Sequence, residues 1–468
     1  MKRNDTGNIL IYAVVITALL VATGLGYMKW AGDEAWDTSY EQATIQSYFN
    51  AQAGIIELGL PYLKTRTAQD LPQGTTILGS GPRINDDNWY RGVYVRRVLG
   101  LGDNNVFERV DTYDVYATGV SMFDNLKLGS GQKKVERSVI MRVRLRSFAN
   151  YLYLTDKEET IFNEIIWFWG EDTLRGRVHS NQGIGIKGRP FFYGPVSTCA
   201  DDFVHGQGYN PYFEYLPIFN APPVNFPVTA DNVRNNSAVY IDDNSGSWMT
   251  RLTVQNVDVS VQQWARGTPF NIETLVNTYS VTLPQYSSIF VDGEVELQGS
   301  ISGKSTIGAS GNIWLIDNIK YVSTNDYNGL GDESTQEMLG IISEKNVIIK
   351  NVWANGRENS RQGSDIIINA AIVALDESFT FEQQNDDFDL YQGNTPDERG
   401  TIFLWGMVAQ KRRGYVHRSN HNGTGYGKSY NYDFRLDKSP PPNFLNATDE
   451  QGHGLFDIMS WNHIKPSR

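Results

Sequence analysis

Hydrophobic positions follow three different periods along this chain, and each period predicts a different element. Residues 9–26 carry no charge and are mostly aliphatic, and the chain stays uncharged until Lys29. At about 1.5 Å per helical residue the stretch covers roughly 27 to 35 Å, the thickness of the hydrocarbon layer of a bilayer. From Trp36 the pattern changes to steps of three and four, and Trp36, Tyr40, Ala43, Ser47, Ala51, Ile55, Leu58 and Tyr62 draw one stripe on a helix. Pro61 and the loop at 65–72 are expected to end it. The chain thus begins as one long helix, apolar all round in its first half and amphipathic in its second.

Period two follows. Segments 89–99, 110–118 and 136–148 are separated by turns rich in Gly and Asn, and the third alternates cleanly. Val139, Met141, Val143 and Leu145 fall on one side of a strand and Arg142, Arg144 and Arg146 on the other, which predicts an antiparallel sheet with one wet face.

The third period is six. Leu283, Ile289, Val295, Ile301, Ile307, Ile313 and Ile319 stand six apart, and four places after each comes Ser287, Gly293, Gly299, Ser305, Gly311, Asp317 or Ser323. The same spacing joins Val178, Ile184 and Val196, with Pro190 in the remaining place, and recurs at Ile341 and Val347, Ile366 and Ile372, and Ile402 and Val408. A short strand that turns its aliphatic residue inward and then bends at a small residue, three times per coil, predicts a parallel β-helix. Val291, Leu297 and Leu315, two places further on, are expected to join the core.

The prolines at 211, 217, 222, 223 and 227 mark residues 201–282 as an excursion from the repeat, and the polar stretches 355–364 and 383–399 read as loops. The fold class expected is therefore mainly β: a long N-terminal helix, an antiparallel sheet, then a parallel β-helix. The segments are a leader and transmembrane stretch at 1–30, an amphipathic continuation at 31–66, a sheet region at 67–160, the β-helix at 161–416 and a Gly/Asn/Pro-rich cap or tail at 417–468. Pro440, Pro441 and Pro442 favour an extended strap within that tail.

A cleaved secretory signal also has a basic start and an apolar centre, but Tyr27, Met28, Lys29 and Trp30 stand where its small-residue cleavage site belongs, so the span reads as retained. Lys2 and Arg3 precede it, which puts the N-terminus in the cytoplasm and the bulk beyond the inner membrane, with Lys29 weakening the asymmetry. Cys199 is the single cysteine of 468 residues, so no internal disulfide forms and stability comes from core burial. A formal charge of −12 argues against nucleic acid as a partner.

The short basic start, the Gly7–Asn8 step and the apolar helix together resemble the N-terminus of type IV pilin-like proteins, in particular the PilX-type minor pilins. Residues 48–55 (YFNAQAGI) are similar to the end of the PilX-type N-terminal region. The resemblance implies a prepilin peptidase cut after Gly7, with Asn8 the first mature residue, and partners among the lipid bilayer, that peptidase and other pilin-like or secretion subunits. Major pilins carry Glu at the fifth mature position, where it neutralises a neighbour's amino terminus; Tyr12 stands there in this chain. Residues 170–181 (GEDTLRGRVHSN), 184–192, 147–151 and 430–442 resemble an uncharacterised domain family of bacterial membrane-anchored, PilX-like proteins. That likeness implies architecture and location without an activity.

Candidate chemistry is sparse. Glu171 and Asp172 are adjacent carboxylates, but neighbours on an extended segment point to opposite faces and do not readily flank one bond. His179, Cys199 and His205 match no zinc spacing, and His179 is expected to face outward. His417 and His421 lie four apart among loop formers. Asp292, Glu294, Glu296 and Lys304 are too scattered along the hexads to nominate a site, while Phe290 and Trp314 fall on outward phases where rings stack on sugars or pack under a loop. The expectation is no catalytic, cofactor or metal site and an exported structural or assembly component. A polysaccharide-binding or adhesive surface is the alternative, and a β-helix polysaccharide lyase or hydrolase ranks behind it.

Overall fold

The structure is a computed structural model and describes residues 6–67, 69–81, 85–101, 107–124, 131–160, 163–170, 172–283, 286–355, 365–382, 398–418 and 424–464. It is mainly β with one long N-terminal helix. Two compact units divide the chain: residues up to Leu145 together with the segment from Phe456, and residues Arg146–Leu455. The sequence boundaries at 160 and 417 therefore shift, and the end of the chain returns to the first unit.

In the first unit helix α1 (Thr6–Gly54) is long and apolar enough to cross a membrane, and Ile9, Leu10, Leu19, Leu20 and Leu25 are exposed along its first half. In the second half Ala43, Ser47, Asn50 and Ala51 are buried. The helix does not stop before Pro61. A π-turn at Ile55–Gly59 leads into a last helical turn, α2 (Leu60–Lys64), and Leu60 N–H bonds Ile55 O. Proline supplies no N–H and crowds the carbonyl four places back, so one widened turn ahead of it relieves both problems. The extra residue also rotates the stripe: after Ile55 the buried positions are Gly59 and Leu63 rather than Leu58 and Tyr62.

The helix packs on a five-stranded antiparallel sheet of β1 (Thr75–Gly79), β2 (Asn88–Leu101), β3 (Phe107–Asp124), β4 (Gln132–Leu145) and the C-terminal strand Phe456–Ile464, in that order. Val95, Val115, Met141 and Val143 fill the face beneath the helix. A Cβ on Gly119 would lie 1.9 Å from Ser47 O, so the backbones of α1 and β3 approach as closely as glycine permits. Asn50 ties the two together, donating to Val120 O at 2.7 Å and to Asn88 Oδ1 at 3.1 Å. The opposite face is less wet than its arginines suggest. Arg142 and Arg96 close over Asp114, whose side chain is buried, at 2.7 and 3.2 Å. The strand Phe456–Ile464, expected to belong to a tail, pairs with β4 from Leu145 to Ser138.

Most strands of the second unit join into one large, nearly closed sheet of mixed pairing, while short strands at 173–174, 185–186, 191–192, 204–205 and 212–213 form two small parallel sheets of their own. The period of six is kept in the register at Ile289–Ile307 and Val295–Ile313, whereas a slip after Leu297 pairs Ile319 with Gly299 and Ile301 with Tyr321. Ile289, Ile307, Ile341, Ile372 and Val408 align on successive parallel strands, and the column continues through Tyr153, Val178 and Val196. A second column holds Val295, Ile313, Val347 and Phe379, and a third Ile319, Ile368 and Leu404. All seven residues of the long hexad run are buried, as are Val291, Leu297 and Leu315. Gly299, at φ 121°, stands at the register irregularity within the strand Val295–Ile301, where a Cβ would meet Val254 O at 2.0 Å.

Part of the excursion at 201–282 rejoins this sheet. Ser237–Asp242 runs parallel to Ser287–Asp292, and Trp248–Asn256 lies beside Val295–Ile301 and leads the antiparallel pair Asp258–Ala265 and Asn277–Thr282. Past residue 417, Thr424–Tyr432 pairs in parallel with the strand Glu398–Arg412. The segment after the three prolines crosses neighbouring strands: Thr306 Oγ1 donates to Pro442 O, Asn443 donates to Ser288 Oγ at 3.0 Å, and Phe444 covers Gly340. Of the loops expected at 355–364 and 383–399, residues 356–364 and 383–397 lie outside the described residues; Asn355 is buried at the end of a 3-10 turn, and Glu398 and Arg399 already belong to the strand Glu398–Arg412.

Candidate functional site

The pairing of Val408 with Tyr153 brings two distant stretches of the second unit together. It places Arg413 beside Lys157, whose carbonyl accepts the Arg413 N–H at 2.9 Å, while a bridge between Arg175 and Asn431 draws Asp172 toward Lys428. Between them opens a cleft with Tyr153, Phe168, Phe379, Tyr415 and Tyr430 among its walls.

Two ion pairs define its polarity. At the base, Arg413 Nη1 donates to Glu158 Oε2 at 2.9 Å and to Ile166 O at 2.9 Å, and its guanidinium stacks 3.7 Å over the Phe168 ring. Both charged side chains are 3% exposed. Burial works against the arginine's charge, but Tyr153, Glu158 and Asp172 outweigh it and hold the pKa above its ordinary value. Nearer the mouth, Lys428 Nζ reaches Asp172 Oδ1 at 3.3 Å, and Asp172 Oδ2 accepts the Trp169 N–H at 3.0 Å. Lys428 reaches solvent yet is crowded by protein, and that desolvation lowers its pKa, with Asp172 opposing and Arg413 reinforcing the shift.

The phenols respond to the same surroundings. Tyr153 accepts from Gln410 Nε2 at 2.6 Å, and burial pushes its pKa up to about 12 against the pull of Arg413. Burial, then the charge of Tyr153 and Asp172, raises Tyr430 well above the ordinary range. Both therefore stay protonated near neutrality, available as hydroxyls rather than phenolates.

The sequence nominees scatter. Gly7 and Asn8 fall in the first turns of α1. Asp172 lines the cleft, whereas Glu171 lies outside the described residues. His417 also lines the cleft and His421 lies outside the described residues. His179 does not face outward. It is buried between strands, its ring nitrogens 2.8 Å from Ser197 Oγ and 3.1 Å from Asn181 Oδ1, and desolvation lowers its pKa to about 4. Cys199 reaches the same Asn181 oxygen at 3.8 Å, while His205 stacks on Tyr209 with ring centroids 3.8 Å apart and leans on Asp202 at 3.5 Å. Among the described residues no three His, Cys, Asp or Glu side chains form a metal-ligating group.

The charges of the hexad run are engaged elsewhere. Asp292 takes Ser310 and Tyr240, whose hydrogen bonds lower its pKa against desolvation; Glu294 accepts from Trp314 at 2.8 Å; Glu296 meets Arg251 and Lys350; and Lys304 is buried, 5.7 Å over the Tyr286 ring. Phe290 is fully buried beneath Arg234, 4.5 Å above its ring, and Trp314 is half-buried. Sequence reasoning missed Arg413, Lys428 and Tyr430. The one local signal was the Arg412–Arg413 pair directly after a buried aliphatic strand.

Residues 112–200 match a family described as a domain of unknown function, DUF4900, across the boundary between the two units. Neither the curated proteins nor the solved structures contain a significant match.

Proposed function

We propose that the chain is a membrane-anchored, exported structural or assembly component of minor-pilin type, with its second unit, a parallel β-helix, displayed beyond the inner membrane. The observation that carries this reading is the change of character along one continuous helix. α1 exposes aliphatic side chains over its first half and buries Ser47, Asn50 and Ala51 on an antiparallel sheet over its second. A helix with a bare apolar half needs lipid or neighbouring helices to cover it. Support for the β-helix comes from the in-phase columns and from partner strands 18 residues apart, as at Ile289 and Ile307 or Val178 and Val196. Its partners are the bilayer, a prepilin peptidase acting at Gly7–Asn8, and other pilin-like subunits. Tyr12 in place of an acidic side chain favours an anchor or accessory position over the fibre shaft.

Topology tests it. A tag at the C-terminus is expected to be cut by protease in spheroplasts while a tag at Met1 is protected; a cytoplasmic C-terminus rules the proposal out. Mass spectrometry of the membrane-extracted chain separates the finer alternatives. A mature start at Asn8, abolished by Gly7→Val, supports the pilin-type route, whereas an intact Met1 leaves a simple anchor.

A further inference from the structure

We propose that the cleft lined by Tyr153, Phe168, Asp172, Arg413, Lys428 and Tyr430 binds a neutral, polyhydroxylated ligand, the chemical class of a glycan residue. The inference stands on the second unit alone and depends neither on the anchor nor on processing at Gly7.

Four observations converge. The cleft is open to solvent and is lined by aromatic rings together with a few fixed polar groups, the make-up of small-molecule sites. The charges cancel, since Arg413 is paired with Glu158 and Lys428 with Asp172. A charged ligand would have to separate one of those pairs and leave a partner poorly compensated, a cost that a neutral ligand avoids. The two pairs also differ. The one at the base is short and sealed, whereas the one near the mouth is 3.3 Å long and reaches solvent on its lysine side, so a hydroxyl can accept from Lys428 and donate to Asp172 without disturbing the base. Tyr430 and Tyr153, held protonated, add phenolic hydroxyls beside faces suited to the C–H side of a pyranose ring. A purely apolar ligand would leave Lys428 and Asp172 further desolvated, and no metal-ligating group lies there among the described residues.

Calorimetric titration of the full chain in lipid nanodiscs, free of sugar-based detergent, tests the assignment. The probes are maltotriose, cellotriose and chitotriose, with trigalacturonate as a charged comparison. Saturable binding of at least one neutral trimer is expected, and Lys428→Met and Asp172→Asn are each expected to weaken it tenfold or more. Tyr430→Phe, which removes only a hydroxyl, is expected to weaken it by about threefold and guards against misfolding of the bolder variants. Trp353→Ala, at an exposed position that does not line the cleft, is expected to leave affinity unchanged. The assignment is overturned by absence of saturable binding to all three neutral trimers, by binding that survives all three cleft substitutions, or by tighter binding of trigalacturonate.

Discussion

The two units bury similar aliphatic side chains by opposite rules. In the first, β1 to β4 pair with their sequence neighbours and a period of two sends alternate residues under the helix. In the second, aligned residues are separated by 18 positions at Ile289 and Ile307, 34 at Ile307 and Ile341, 31 at Ile341 and Ile372, and 36 at Ile372 and Val408. The column stays in phase although the connections differ in length. A sheet built on hairpins ties register to turn geometry, whereas a stack of parallel strands requires only that each connection return the chain to the same phase. Insertions are consequently absorbed in the second unit without disturbing the core.

Several substitutions bear on this contrast. The largest effect is expected from Ile307→Asp, which places an unpaired carboxylate mid-column with a buried neighbour on either side. A cost of several kcal/mol follows from burial of a charge, so the second unit loses its cooperative thermal transition in the full chain while the first keeps its own. A single transition shifted as a whole would show that the two units do not melt independently.

Acid is expected to separate them next. His179 has its pKa lowered from 6.5 to about 4 by burial, so it stays neutral in the folded second unit while the unfolded chain takes up a proton. Stability is unaffected above about pH 6.5, falls as pH drops below it, and levels off below about pH 4, a loss of about 3 kcal/mol. Chemical denaturation at pH 7 and pH 4.5 measures it, and His179→Gln is expected to flatten that limb.

In the first unit Gly119→Ala forces α1 away from β3, at about 1–3 kcal/mol, read as a lower melting temperature of that unit alone. The smallest effect is expected from Asn50→Ala. It removes the bonds to Val120 O and Asn88 Oδ1, at about 1–2 kcal/mol in the same melt.

Much of this architecture was legible because periodicity is local. The alternation from Val139 to Leu145 and the seven hexad residues needed no knowledge of partners, and all proved buried. What escaped the sequence was long-range. Nothing within residues 456–464 announces β4 as a partner, and nothing near Tyr153 announces Val408. The cleft was only partly visible for the same reason: Asp172 drew attention as a carboxylate, but its lysine lies 256 residues away. His179 was misplaced because outward phase was equated with exposure, whereas a neighbouring strand's Ser197 engages it; Phe290, for which burial was the favoured reading, is covered by Arg234 of the short helix Asp231–Asn235. At Pro61 the error was to treat a missing donor as a stop, when a π-turn carried the helix past it.

The joining of Tyr153 to Val408 also imposes an order in time. Residue 153 is synthesised 255 positions before the partner that covers one of its edges. At roughly 5–20 residues per second, its strand waits about 13 to 50 s with that edge open. The strands at Val178 and Val196 extend from it on the other side and share the delay. Open parallel edges are templates for wrong pairing, and non-local contacts form slowly. The early strands are therefore the part of the nascent chain with most to gain from a holdase until the late strand arrives, and truncation anywhere before residue 408 leaves them without their seam.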